Sequence, residues 1–230
     1  HQIRTGFRSR TSVTDPQFLE RNLVAGADVF LVQRNLQSTS GYNERRAGFT
    51  LRAGYEINEH LRQSWSYTLA DRDLSHVDAG ASRFIQEQAG STLLSQISTT
   101  VTYDRRDSRI EPRSGYVARA GSDLAGLGGD VYYVRLRGDG QYYIPFERLL
   151  GDPDYVLVFA VGGGWMLPYN GSDTRIVDRF FLGGENLRGF ALGGAGPRDV
   201  STNDALGGQV IWTSSAEFRF PLPLPSELGF

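Results

Sequence analysis

Cysteine is absent from the 230 residues, which excludes a disulfide framework and any cysteine-ligated metal centre. Missing too is any run approaching the roughly 18 apolar residues of a membrane-crossing helix. Neither sign of charge dominates, since 24 Lys and Arg against 26 Asp and Glu leave a formal net charge of −2. That balance gives no field to draw nucleic acid or an anionic surface. Histidine is scarce, and His1, His60 and His76 fall in no HExxH or comparable metal spacing. There is no GxSxG elbow of a serine nucleophile. The opening HQIRTGFRSR has no apolar core, so it is no signal peptide. With no initiating Met, the chain reads as a mature or trimmed segment.

What is present is glycine, at 28 residues, with 12% aromatic and 40% hydrophobic residues overall. That mixture suits strands and turns better than helices. Period-two alternation recurs along most of the chain. In DVYYVRLRGDGQYYI one parity carries Tyr132, Val134, Leu136, Tyr142 and Ile144, and the other Tyr133, Arg135, Arg137, Asp139, Gln141 and Tyr143. FTLRAGYEI sets Phe49, Leu51, Ala53, Tyr55 and Ile57 against Thr50, Arg52, Gly54 and Glu56. LRQSWSYTL and VIWTSSAEFRF repeat the pattern, and the latter puts Glu217 on the polar parity beside Arg219. One greasy and one wet face is what a strand presents.

These stretches run about 9 to 12 residues, near the length a tilted strand needs to cross a bilayer. Connections alternate between tight turns, as in EINEHL, and long polar loops, as in DRDLSHVDAGASRFIQEQAG. Tyr55, Tyr67, Tyr103 and Tyr155 stand near strand ends, where interfacial aromatics anchor a barrel. The expectation is an all-β, antiparallel transmembrane barrel wall of roughly ten or eleven strands. Alternation alone also admits a soluble β-sandwich or lipid-binding barrel, in which the wet face is outermost.

Several stretches resemble the BamA-like assembly factors of the bacterial surface antigen superfamily. TYDRRDSRIEPRSGYVARAGSDLAG has a strand ending in Tyr103-Asp104 and a turn with Pro112 and Gly115. YYVRLRGDGQYYIPF follows, and then FLGGENLRGF, similar to the family's sixth extracellular loop. Gly196-Pro197, DALGG at 204–208 and SAEFRFPLPLP continue the family's order, and SVTDPQFLERNLVAGADVF resembles an upstream hairpin. The Arg-Gly-Phe loop with its downstream Asp-Ala-x-Gly-Gly and Glu-Phe is the specific part.

The resemblance implies that the loop folds back into the lumen, where Arg188 pairs with Glu217 on the inner wall. A guanidinium in a confined wet space suits bidentate pairing. Gly183, Gly184 and Gly189 would permit the close approach, and Phe190 would pack as a plug at the tip. A second acidic partner belongs to a later strand that this sequence does not reach. Phe230 imitates a closing aromatic, but the prolines of PLPLPSELGF disfavour a closing strand. The family pattern further implies a barrel of roughly sixteen strands, truncated here at both ends, with the preceding periplasmic POTRA domains absent from this chain.

The implied activity is non-covalent: folding and insertion of client β-barrel proteins in the outer membrane of a Gram-negative bacterium. Implied partners are unfolded outer-membrane clients, periplasmic chaperones, assembly-complex lipoproteins and the lipid bilayer, with no nucleic acid, no metal and no cofactor. Within the superfamily, a TamA-like protein or a two-partner secretion transporter is the rival. From other classes the rivals are a passive porin-like channel and a soluble β-domain. FLGGENLRGF lacks the Gly-Lys-Ser/Thr ending of a phosphate loop. Asp71 and Asp73 are read as a solvated loop rather than a cation site.

Overall fold

The computed structural model describes residues 6–15, 23–35, 42–147, 151, 154–184, 186–191 and 193–221. The stretch from 222 to Phe230, most of the linker in SVTDPQFLERN, and Glu185 in the loop motif lie outside the described residues.

Nine strands form one sheet: β1 (Gly6–Asp15), β2 (Leu23–Asn35), β3 (Asn43–Glu56), β4 (Leu61–Ser75), β5 (Gly90–Asp104), β6 (Gly115–Ala125), β7 (Tyr133–Pro145), β8 (Val156–Pro168) and β9 (Val210–Arg219). Each pairs antiparallel with the next, in sequence order throughout. This is an up-and-down wall with no crossover. A strand of 13 residues such as β8 rises ~43 Å, or ~30 Å when tilted by about 45°, enough for the hydrocarbon layer. Among the described residues no helix is long and apolar enough to cross a membrane, so any crossing falls to the strands.

The strand count is nine among the described residues, fewer than the ten or eleven expected. Between β8 and β9 the chain contributes only isolated bridges, Phe180 with Gly208, Leu182 with Ala195 and Arg198 with Ala205. The loop expected from residue 71 also begins later, because β4 carries Asp71 and Asp73 in register with Leu93 and Ser91 of β5. A one-turn helix, α1 (Arg83–Gln86), then closes that loop, with Ser82 capping it by accepting the Phe84 amide.

Register sorts the side chains. Phe49 pairs with Leu69 and Leu51 with Tyr67, Leu136 with Trp165 and Tyr142 with Phe159, and Trp165 with Val210. That face is exposed, with Leu51 at 50%, Tyr142 at 52% and Trp212 at 76%. On the other face Asp28, Arg72 and Asp123 are buried. A soluble sandwich requires the reverse. An apolar outer surface around a charged interior belongs to a barrel wall facing lipid. The cationic residues are all arginines, and their fork geometry suits this interior. Arg10 and Arg52 both grip Asp28, Arg135 and Arg137 share Asp123, and Arg119 holds Asp139.

Connections at one end are 57–60, 105–114 and 146–155; those at the other include 76–89, 126–132 and 169–209. The longer loops do gather at one end, but 105–114 is no tight turn. It is a built loop in which Asp107 accepts the amides of Ser108, Arg113 and Ser114. At the same end an aromatic belt lies on the outer face. Tyr103, Tyr116 and Tyr142 stack in sequence with centroids 5.8 and 6.3 Å apart, and Tyr155, Phe146 and Phe220 surround Phe218. Tyr67 does not belong to this belt. It sits mid-strand in β4, its hydroxyl 2.9 Å from Ser95 Oγ.

Candidate functional site: the lumen loop and the inner wall

The segment between β8 and β9 is folded onto the inner wall in tiers. Its base begins with Thr174, which accepts Arg179 Nε at both its carbonyl (3.2 Å) and its hydroxyl (3.1 Å). Arg175 Nη2 donates to the Gln88 carbonyl at 2.6 Å, and the Ile176 amide donates to Gln88 Oε1 at 2.8 Å. Burial pulls Arg175 and Arg179 below the usual arginine value, against the attraction of Asp178 and Asp173 respectively. A 3-10 turn, Ile176–Asp178, then delivers Ile176 to an apolar cluster with Tyr42, Leu74 and Ile85, against which Val177, Phe181 and Leu206 pack. The loop carrying α1 and the long loop thereby share one cap at this end of the wall.

Asp178 turns the other way, onto the inner wall. Its Oδ1 accepts Arg72 Nη1 at 2.6 Å and the Tyr133 hydroxyl at 3.3 Å. Its carbonyl accepts Arg135 Nη1 at 3.1 Å, while Arg135 Nε holds Asp123 Oδ2 at 2.7 Å. One residue, through its carboxylate and its carbonyl, thus ties the loop base to β4 and β7, and through Arg135 to β6. The polar parities of β4 and β7 place Arg72, Tyr133 and Arg135 in the lumen, but no local pattern links them to Asp178, 106 positions from Arg72. Sequence reading missed this centre.

The middle tier joins the two loops by polar contacts. The Ser82 amide donates to Asp204 Oδ2 at 2.7 Å, and the Ser82 hydroxyl donates to Asp199. Hydrogen bonds from the hydroxyls of Ser201 and Ser82 hold the Asp199 carboxyl down at about 2.

The tip contains the motif residues. Gly183 has φ +127°, and a Cβ there would stand 2.0 Å from the Ala191 carbonyl oxygen. Its amide donates to Asn186 Oδ1 at 2.8 Å, and Asn186 Nδ2 donates to the Phe181 carbonyl at 2.9 Å. The Gly184 amide closes the loop on the Phe190 carbonyl at 2.8 Å. Gly184 and Gly189 also have positive φ.

Arg188 then reaches the wall, its Nη2 3.4 Å from Glu217 Oε2. Glu217 pairs in register with Val158 and shares its face with Arg219, whose Nε is 3.3 Å from Glu217 Oε1. Glu217 lies near the far end of β9 (Val210–Arg219), at the end opposite the long loops. From Val210 to Glu217 the strand advances ~23 Å, so the loop tip reaches well down the wall.

Two expectations differ in detail. The Arg188 contact is single rather than two-pronged, and the Arg188 side chain is 87% exposed. Phe190 is exposed rather than packed as a plug; the tip closes through the Gly184–Phe190 backbone bond and the Asn186 side chain. Among the described residues no group of three or more His, Cys, Asp and Glu is arranged to hold a metal ion.

Lipid-facing strands around a charged interior, with a long loop tied down inside, define the wall of a membrane-spanning β-barrel. The chain belongs to the Omp85 superfamily, whose domain matches residues 5–229. It is 33% identical over 206 residues to the outer membrane protein assembly factor BamA of Neorickettsia risticii, covering 90% of this chain and 27% of that protein. It is 35% identical over 162 residues to the sorting and assembly machinery component 50 homolog A of Xenopus laevis, covering 69% of this chain and 33% of that protein. Among solved structures, BamA from Haemophilus ducreyi lacking POTRA domains 1–3 superposes with a TM-score of 0.84 at 19% identity, over 96% of this chain and 46% of that one. The chain thus spans roughly a quarter to a third of the curated relatives' length.

Proposed function

We propose that this chain is barrel wall from an outer-membrane assembly factor that promotes folding and insertion of client β-barrel proteins in a bacterial outer membrane. The work is non-covalent. Each unpaired backbone group in lipid costs several kcal/mol, so a client strand gains from a partner edge. The observation that carries the reading is the inward-folded loop that brings Arg188 within 3.4 Å of Glu217 in a chain of this superfamily. Unfolded clients, periplasmic chaperones and accessory lipoproteins are the partners this reading requires. A passive pore needs no such tethered loop inside it.

The test is reconstitution of the full-length protein in liposomes, with an unfolded outer-membrane client delivered by a periplasmic chaperone. Accelerated client folding relative to empty liposomes is expected. Steady ion conductance with no acceleration would favour the passive channel, and export of a soluble client through the lumen would favour a two-partner secretion transporter.

A further inference from the structure

Two of the ion pairs between the long loop and the inner wall differ in kind. The tip contact, Arg188 to Glu217, is single and long, with both side chains substantially exposed, and Arg219 competes for the same carboxylate. Exposed pairs of this type hold little. The base contact, Arg72 to Asp178, is short, with side chains 5% and 3% exposed.

We propose that Arg72 and Asp178 are positioning residues that set where the Arg188 loop lies in the lumen, leaving the tip contact free to exchange. The functional consequence rests on the assembly-factor reading above. Three observations carry the proposal. First, Asp178 immediately precedes Arg179 and Phe180, and Phe180 is bridged to Gly208 by amide–carbonyl bonds in both directions, each 2.9 Å. The two sides of the loop are therefore clamped two residues beyond the carboxylate. Second, the Phe180 ring lies where a Cβ on Gly164 would stand 2.4 Å from its Cζ. Only glycine at that point of β8 admits the ring, so the base seats in one place. Third, Asp178 joins strands that are not neighbours: β4 through Arg72, and β7 through Tyr133 and Arg135. The single hydroxyl proton of Tyr133 lies between two acceptors, Gln96 Oε1 of β5 at 2.6 Å and Asp178 Oδ1 at 3.3 Å, so Arg72 and Arg135 are the stronger ties.

Stability alone is a poor reason for this pair. Among the described residues Asp178 Oδ2 and Arg72 Nε have no hydrogen-bond partner. A buried ion pair with unsatisfied atoms gains little over an apolar pair of the same size. What the pair supplies is placement, because Asp178 meets Arg72 of β4 through Oδ1 and Arg135 of β7 through its carbonyl at the same time.

The test uses the full-length protein in lipid bilayers, with spin labels on Phe190→Cys in the loop and Ser215→Cys on the inner face of β9; this chain has no cysteine of its own. Pulsed electron resonance gives the distance distribution between them. A narrow distribution is expected for the otherwise native protein, and a several-fold broader one for Asp178→Asn. The double variant Arg72→Met with Asp178→Leu leaves no buried charge unpaired and should broaden the distribution to the same degree while heat-modified gel mobility reports a folded barrel. Arg72→Lys, which keeps a cationic donor, should restore most of the narrowing.

An unchanged distribution in folded Asp178→Asn and in the folded double variant would overturn the proposal. Client folding measured on the same samples keeps the two readings apart. A broadened loop with undiminished client folding would contradict the loop's part in assembly while leaving the positioning role intact.

Discussion

Arg188 meets Glu217 through a single 3.4 Å contact, at the far end of β9 from where the loop enters the lumen. Arg219 holds the other oxygen of the same carboxylate at 3.3 Å. Glu217 is thus shared between a wall residue that is always near and a loop residue that arrives from a distance. Such a carboxylate can release the loop without being left uncompensated.

Loss of the tip contact should therefore be nearly silent in stability. Arg188→Ala is expected to shift unfolding by under about 1 kcal/mol, as for other exposed pairs, with unchanged heat-modified mobility. Loop protease sensitivity should rise and client folding should slow. Wild-type client folding with unchanged loop cleavage would remove Arg188 from the mechanism.

Glycines in the loop are not equivalent. At Gly183 both φ +127° and an oxygen at 2.0 Å from any Cβ oppose substitution, so Gly183→Ala should disrupt the tip and expose it to protease. Gly189 also has positive φ but has nothing within 4 Å of a Cβ, so Gly189→Ala should cost only about 1 kcal/mol of backbone strain. Limited proteolysis of the two variants side by side separates them. Equal cleavage would mean that close approach at Gly183 is irrelevant.

The period-two pattern made much of this legible. Because side chains alternate strictly along a strand, the parity of VIWTSSAEFRF was enough to place Glu217 inward beside Arg219, and the same logic placed Arg135 and Arg137. The loop core was not legible. Arg72 and Asp178 are joined only by the return of a long excursion, and nothing near Asp178 in RIVDRF marks it as a wall contact. Phe190 was misread because a hydrophobe beside glycines resembles a plug, whereas the tip closes through the Gly184–Phe190 backbone bond and the Asn186 side chain and the ring is exposed.

Deep inside, Asp123 carries a heavier burden than any motif residue. It is almost fully buried between Arg135 and Arg137, which remain partly open to solvent. Asp123→Ala should destabilise the barrel by about 3 kcal/mol, at the low end for breaking a buried pair because both arginines retain some hydration. Urea unfolding of the full-length protein in bilayers measures this, and a change under about 1 kcal/mol would show that the arginines re-pair elsewhere.

Acid should reach the cap late. The Asp199 carboxyl sits at about 2 because the Ser201 and Ser82 hydroxyls donate to its charged form, below its ordinary value of about 3.9. A lowered folded value means its contribution is fully present above that ordinary range and is lost as pH falls through about 2. Acidification from pH 7 to 5 should leave the Ser82–Asp199 link intact, and Ser82→Ala should move the carboxyl upward. Carboxyl carbon NMR across an acid titration reads both, and an Asp199 midpoint near 4 in the unsubstituted protein would contradict the link.

The most direct measurement is cross-linking between the loop tip and the wall. Arg188→Cys and Glu217→Cys, introduced together in the full-length protein and treated in intact membranes with a short bis-maleimide, should join efficiently, while Arg188→Cys paired with Trp212→Cys on the lipid face should not. Efficient joining to position 212, or none to position 217 in folded protein, would place the loop outside the lumen and contradict the inward-folded arrangement.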